Sequence, residues 1–109
     1  KPKLFRPPFG VRWVGLRGAL KDAGLRNIMW SRIASDWRLT TDLIALRLLG
    51  GARSGAIFCL HDGRETRVNP NVRPTIEALR RLIPELLDRG FDFETVPEIL
   101  CPTPPKRPI

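Results

Sequence analysis

The chain has 109 residues, 42% of them hydrophobic and 28% charged, which is the length and composition of one small globular domain. No apolar run approaches the roughly eighteen residues of a membrane-spanning helix, and residues 1–12 do not read as a secretory signal. The formal net charge of +8 comes from residues 1–54, where single basic residues are scattered among apolar ones, and this pattern argues against a nucleic-acid-binding protein.

The first third of the chain predicts a strand, a helix and a second strand. Prolines keep residues 1–9 extended until Gly10 turns the chain. A helix is predicted over residues 16–23, because a glycine follows it directly, and the apolar run 27–30 predicts a buried strand. Residues 31–37 are predicted to form a loop.

The middle of the chain predicts a capped helix and a buried strand. Thr40 or Thr41 caps a helix that ends at residue 49, where two glycines follow. The apolar run 55–60 is continuous, as expected for a parallel strand buried on both faces. Cys59 within it is predicted to be a buried free thiol, and two cysteines are too few for a disulfide-dense scaffold.

The longest helix is predicted to begin at Pro74 and to end at Gly90. Glu77 and Arg81 are spaced as an i,i+4 ion pair on its surface, and Pro84 is expected to bend it. Its core-facing stripe is predicted from apolar residues three and four apart: Ile76, Leu79, Ile83, Leu86 and Leu87.

The end of the chain completes an alternation of strands and helices. Residues 91–96 alternate like a strand, residues 97–100 begin a short helix, and the Pro-rich residues 102–109 are expected to form a tail. Such alternation predicts an α/β fold with mainly parallel strands. Four strand–helix units are too few to close an eight-unit (β/α) barrel, which needs about 250 residues. We therefore expect residues 1–101 to form an incomplete, open part of such a barrel.

Polar side chains follow three of the predicted strands at the point where each strand ends. These are Arg6, Asp36 and the chain's single histidine, His61. Because the carboxyl ends of parallel strands meet at one rim, we expect the three side chains to lie on the same rim. A lone histidine is more often structural than catalytic, so the spacing alone leaves both roles open.

Three residue strings resemble the third, fourth and fifth motifs of the polysaccharide deacetylases, which are carbohydrate esterase family four and carry the NodB homology domain. The strings occur in the family's order over residues 4–100: Phe5-Arg6-Pro7-Pro8-Phe9-Gly10, Trp30-Ser31 with Asp36-Trp37, and Leu60-His61-Asp62-Gly63. The resemblance implies the C-terminal half of a distorted (β/α) barrel.

The resemblance also implies a reaction, a cofactor and partners. Members of the family hydrolyse N-acetyl groups of amino-sugar polymers or oligomers, such as chitooligosaccharides or peptidoglycan, with a divalent metal, usually zinc, held by their first two motifs. A three-ligand zinc site cannot be built with one histidine and two distant cysteines, so we assign no metal ligand here and expect this chain alone to be inactive. The expected partners are an N-acetylated carbohydrate and the missing N-terminal half. A bacterial envelope or secreted location is the leading expectation, with a cytoplasmic one open.

By the same resemblance, His61 matches the family's general acid, which protonates the leaving amine near neutral pH. Asp36 matches the carboxylate that orients this imidazole and favours its protonated form. Arg6 matches the arginine that braces the upstream base, a contact that is also an ordinary salt bridge.

Three more residues match positions that bind substrate in the family. Phe9 stands where the family often has tyrosine, and its backbone N–H is expected to face the developing oxyanion. Trp37 and Leu60 are expected to wall a pocket for the acetyl methyl, with plain core packing as the alternative, equally weighted for Leu60. Ile33 departs from the family, which often has Asp at the start of the fourth motif.

Two other functions compete with the deacetylase. The first is a non-catalytic carbohydrate-binding or structural module of the same fold, which would lack the upstream Asp-Asp pair and His-x3-His spacing. The second is a small basic nucleic-acid binder, which predicts DNA affinity that falls steeply with salt.

Overall fold

The computed structural model describes residues 1–63 and 66–101. A 3-10 turn at Pro8–Gly10 follows the first strand. The strands and helices are, in chain order, β1 Leu4–Phe5, α1 Leu16–Ala23, β2 Arg26–Asn27, β3 Arg32–Ile33, α2 Thr41–Leu49, β4 Phe58–Cys59, α3 Arg73–Asp88 and α4 Val96–Leu100. The predicted alternation is confirmed up to α3, whereas the predicted strand over residues 91–96 is wrong: residues 91–95 are irregular and α4 begins at Val96. The predicted tail, 102–109, lies outside the described residues.

All strand pairing in the described residues is parallel. β1 pairs with β2, and β3 pairs with β4. β2 and β3 are separated only by residues 28–31, so this middle stretch of chain pairs with β1 at its start and with β4 at its end. This arrangement is a mixed α/β fold with parallel strands, as predicted.

The middle stretch changes partner between its two halves. The Ile28 N–H donates to the Phe5 carbonyl at 2.8 Å, and the Ala34 N–H donates to the Cys59 carbonyl at 2.8 Å. Where the partner changes, the Ser31 hydroxyl takes the place of a backbone carbonyl and accepts a hydrogen bond from the Ile57 N–H at 3.0 Å. The sequence predictions are therefore wrong here in two respects: the strand of residues 27–30 ends at Asn27, and the loop of residues 31–37 contains β3.

The ends of the first two helices are set by the predicted residues. Gly24, with φ 67°, ends α1 in the left-handed conformation, which a glycine adopts without strain. The Thr40 side chain accepts from the Leu43 N–H at 3.5 Å and so caps α2. Both helices are confirmed with the predicted limits.

The buried face of α3 differs from the predicted one. The residues that face the core are Thr75, Ala78, Leu82 and Leu86, while Ile76, Ile83 and Leu87 are about half-exposed. Leu79 is partly buried against the core, so only Leu79 and Leu86 of the predicted stripe contact it. The prediction was made from the large apolar residues of α3. The face of α3 that packs against α2 instead begins with two small residues, Thr75 and Ala78. The predicted Glu77–Arg81 pair is also wrong: Glu77 pairs with Arg80, and Arg81 pairs with Asp42 of α2.

The core lies between α2, α3 and one face of the strands. Its fully buried members are Ala34, Ile44, Ala45, Leu48, Ala78, Leu82 and Leu86. Phe58 and Leu60 pack against this core, so side-chain alternation places Cys59 and His61 on the opposite face of that segment. No helix in the described ranges is long and apolar enough to cross a membrane.

Candidate active site

Asp36 and His61 form a hydrogen-bonded pair at the carboxyl ends of β3 and β4. His61 Nδ1 lies 2.8 Å from Asp36 Oδ1, and the His61 backbone N–H donates to Asp36 Oδ2 at 2.8 Å. The Asp36 side chain is fully buried, whereas 39% of the His61 side chain is exposed. The pair thus joins a buried carboxylate to an imidazole that solvent reaches.

The pKa of Asp36 reflects two opposed effects. Burial raises the pKa of this carboxyl, because it disfavours the charged form. Hydrogen bonds from the His61 backbone, the His61 ring and the Thr75 hydroxyl outweigh burial and hold the pKa below its ordinary value. Asp36 is therefore an ionised acceptor at neutral pH.

An ionised Asp36 determines which ring nitrogen of His61 is free to react. A carboxylate can only accept hydrogen bonds, so Nδ1 carries the proton that points to Asp36. Nε2 then remains for exchange with a substrate or solvent. The ring of Trp37 meets the imidazole edge to face, with centroids 5.0 Å apart and planes at 87°, and so contacts the imidazole from a second direction.

Arg6 reaches the same end of the strands. Its Nε donates to the Ile28 carbonyl at 3.0 Å, where the middle stretch leaves β2. Burial raises the pKa of the Cys59 thiol, the charge of Arg6 lowers it and the charge of Asp36 raises it further. The charges of Arg6 and Asp36 therefore both act on the Cys59 thiol.

Phe9 lies in the tight turn that follows Arg6. It has φ 56° and is 79% exposed. The next residue, Gly10, has φ 68°, and a Cβ on it would lie 2.5 Å from the Trp30 ring. Only glycine fits there without displacing Trp30, so the turn that carries Phe9 is held against the middle stretch.

Leu60 is a predicted site residue with a partly buried side chain. It packs against the α2–α3 core, the alternative that the sequence had left open. By side-chain alternation, Cys59 lies on the same face of the β4 segment as His61. Thr75, whose hydroxyl donates to Asp36 Oδ2 at 2.9 Å, was missed by the sequence analysis. It lies in a helix whose core-facing stripe was predicted from larger apolar residues.

The described residues do not fit a metal ion. Within ranges 1–63 and 66–101, no group of three His, Cys, Asp or Glu side chains is placed to hold one. The acidic and imidazole groups of the Asp36–His61 pair are already engaged with each other.

No protein-family model matches the sequence, but curated relatives match most of it. The chain is 35% identical over 103 residues to a peptidoglycan-N-acetylglucosamine deacetylase of Bacillus cereus, covering 92% of this chain and 46% of that protein. It is 33% identical over 105 residues to a chitooligosaccharide deacetylase of a Bradyrhizobium species, covering 90% and 48% respectively. The chain spans about half the length of these relatives.

Solved structures give the same result. A family 4 acetyl xylan esterase from Clostridium thermocellum, in complex with a cobalt ion, superposes with a TM-score of 0.72 at 35% identity, covering 91% of this chain and 45% of that one. BA3943, a family 4 pseudoenzyme from Bacillus anthracis, superposes with a TM-score of 0.74 at 26% identity, covering 90% and 32%. A peptidoglycan N-acetylglucosamine deacetylase, Bc1960, shares the fold with a TM-score of 0.78 at 24% identity, covering 90% and 44%.

The parallel α/β fold is that of a part of a distorted-barrel domain. The chain belongs to the polysaccharide deacetylases, carbohydrate esterase family four, and corresponds to a C-terminal part of their domain.

Proposed function

We propose that the protein containing this chain is a metal-dependent N-deacetylase of an amino-sugar polymer or oligomer. The observation that carries the proposal is the pairing of a buried, ionised Asp36 with a part-exposed His61 at the strand ends. A pair of this kind presents one proton at Nε2 and holds the ring by Nδ1. Amide hydrolysis needs such a proton, because an unprotonated amine is a poor leaving group.

His61 acts as the general acid in this proposal. When the tetrahedral intermediate collapses, the C–N bond breaks, and Nε2 donates its proton to the amine nitrogen that leaves. Before the transfer, the hydrogen bond from Nδ1 to Asp36 Oδ1 holds the ring in place. Afterwards the neutral ring keeps its Nδ1–H bonded to Asp36, so its orientation is retained.

The other rim residues bind and orient groups around His61. The Phe9 backbone N–H is proposed to face the oxyanion, and Trp37 to wall the space for the acetyl methyl beside the imidazole. Leu60 is proposed to support the same pocket indirectly: it packs against the core and so fixes the end of β4 that carries His61. Arg6 is proposed to brace an acidic base supplied from outside the chain.

The metal is proposed to be held by residues outside this chain. The described residues supply no three-ligand group, and the structure of one relative, the family 4 acetyl xylan esterase, contains a cobalt ion, which supports a metal in the whole domain. We propose zinc, with an N-terminal part of the same domain as its source of ligands. The chain alone is then inactive, and the whole protein acts on N-acetylated carbohydrate at a bacterial envelope or outside the cell.

Variants of His61 in a protein that carries the whole domain test the proposal. With an N-acetylated chitooligomer as substrate and release of free amine as the readout, His61→Ala should lower the rate by about 10²–10⁴ and leave the zinc content unchanged. Asp36→Asn should also lower the rate, because the charge-assisted hydrogen bond that holds the His61 ring by Nδ1 becomes a weaker, neutral one. A His61→Ala variant with unchanged turnover would show that His61 is structural.

A second candidate function is a non-catalytic module of the same fold. The resemblance to BA3943, a family 4 pseudoenzyme, is the observation that favours it. In that case the whole-domain protein would bind an N-acetylated oligomer without releasing amine at any metal concentration, and His61→Ala would not change its affinity.

A further inference from the structure

Thr75 connects α3 to the Asp36–His61 pair. It is the third residue of α3 and is 6% exposed. A threonine hydroxyl inside a helix often donates to a carbonyl of the preceding turn. Here it donates instead to Asp36 Oδ2, in the segment between β3 and α2, at 2.9 Å.

The two oxygens of Asp36 have different donors. Oδ1 faces His61 Nδ1, while Oδ2 accepts from the His61 backbone N–H and from the Thr75 hydroxyl. The terminal torsion of an aspartate is soft, so its carboxylate plane is set by the groups that bond to it. One donor on Oδ2 comes from the end of β4 and the other from α3, and together they resist rotation of that plane.

We propose that Thr75 is a positioning residue for the reaction at His61. By holding Oδ2, it keeps Oδ1 in line with Nδ1 and thereby sets the direction of Nε2 toward the substrate. The inference rests on the proposed function for its kinetic consequence, but the orientation of the ring is a property of the structure alone.

Three variants separate the hydroxyl from the packing of the side chain. Thr75→Val keeps the shape and removes the donor, whereas Thr75→Ser keeps the donor and removes a methyl group. The matched control is Thr41→Val, because the Thr41 hydroxyl lies in the α2–α3 interface and donates to the Pro74 carbonyl at 3.5 Å, away from Asp36.

The experiment uses the protein that carries the whole domain and reads out both kinetics and the imidazole. In Thr75→Val we expect kcat on an N-acetylated chitooligomer to fall about 5- to 30-fold with KM unchanged, as for the loss of one hydrogen bond to a charged group. We expect the Nδ1–H proton resonance of His61, assigned by its loss in His61→Gln, to shift and broaden. Thr75→Ser should restore both readouts, and Thr41→Val should change neither.

The ring resonance tests the proposal even where catalysis fails. An unaltered Nδ1–H resonance in Thr75→Val would overturn it, as would equal effects of Thr75→Val and Thr41→Val. A wild-type protein that binds the oligomer without releasing amine would instead overturn the proposed function, while a shifted resonance would still support the role of Thr75 in orienting the ring.

Discussion

Asp36 and His61 are 25 residues apart in the sequence, and each lies within three residues of the end of a strand, which places them together. That Asp36 and His61 lie close together was predictable, because parallel strands bring their carboxyl ends to one rim. The three motifs also indicated which side chains to expect there. Thr75 was not predictable, because its hydroxyl reaches Asp36 from a helix 39 residues further along the chain. Cys59 was assigned to the core because a continuous apolar run does not show which face each residue occupies.

The buried carboxylate gives the protein a defined acid sensitivity. The folded-state pKa of Asp36 lies below its ordinary value of 3.8, so its stabilising effect is fully present above that pH. It is lost as the pH falls from there through the folded-state pKa, where the native carboxyl takes up its proton. Urea unfolding of the whole-domain protein between about pH 2 and 5 should show a steeper loss of stability in wild type than in Asp36→Asn.

A matched variant distinguishes this effect from general acid denaturation. Asp42, whose side chain is 81% exposed, pairs with Arg81 on the surface, and such pairs contribute little. Asp42→Asn should therefore keep the wild-type slope. Equal slopes in Asp36→Asn and wild type would show that Asp36 does not carry the acid sensitivity.

The elements divide into those that local sequence determines and those that it does not. The limits of α1 and α2 were predicted because Gly24 and Thr40 act within one turn of the helix. The strands were less predictable, because the segment from Arg26 to Ile33 changes partner from β1 to β4, and the position of the change depends on distant segments. Residues 91–95 alternate as a strand does, yet none of them pairs in a strand.

Two adjacent residues of α3 test which face of that helix is in the core. Leu82 is 2% exposed and Ile83 is 41% exposed, although the spacing of apolar residues had predicted Ile83 to be the core residue. Leu82→Ala should lower the free energy of unfolding by about 2–5 kcal/mol. Ile83→Ala should lower it by clearly less, because much of that side chain is already in contact with water. Urea denaturation of both variants in the whole-domain protein would show the order, and a larger loss for Ile83→Ala would contradict the described face.

At the scale of the whole molecule, the described residues leave many apolar surfaces uncovered. The largest exposed ones include Phe9, Trp13, Val14, Leu46 and Phe93. A cavity of about 700 Å³ opens between the start of β4, α3 and residues 90–99, and its lining is mostly apolar. In the described ranges β1 pairs only with β2 and β4 only with β3, so both strands have an unpaired edge. These surfaces resemble those of a barrel opened along its length.

Uncovered apolar surface and open strand edges predict how the 109 residues behave when they are expressed alone. Burying one large apolar side chain contributes about 1.5–3 kcal/mol, so several left in water offset much of a total stability of roughly 5–15 kcal/mol. Unpaired edges add a route to association between chains. We therefore expect the isolated chain to be aggregated, oligomeric or molten, and the addition of an N-terminal part of the domain to rescue a monomer. Size-exclusion chromatography with thermal unfolding measures both, and a sharp cooperative transition from a monomer of the isolated chain would show that these residues fold as a complete domain.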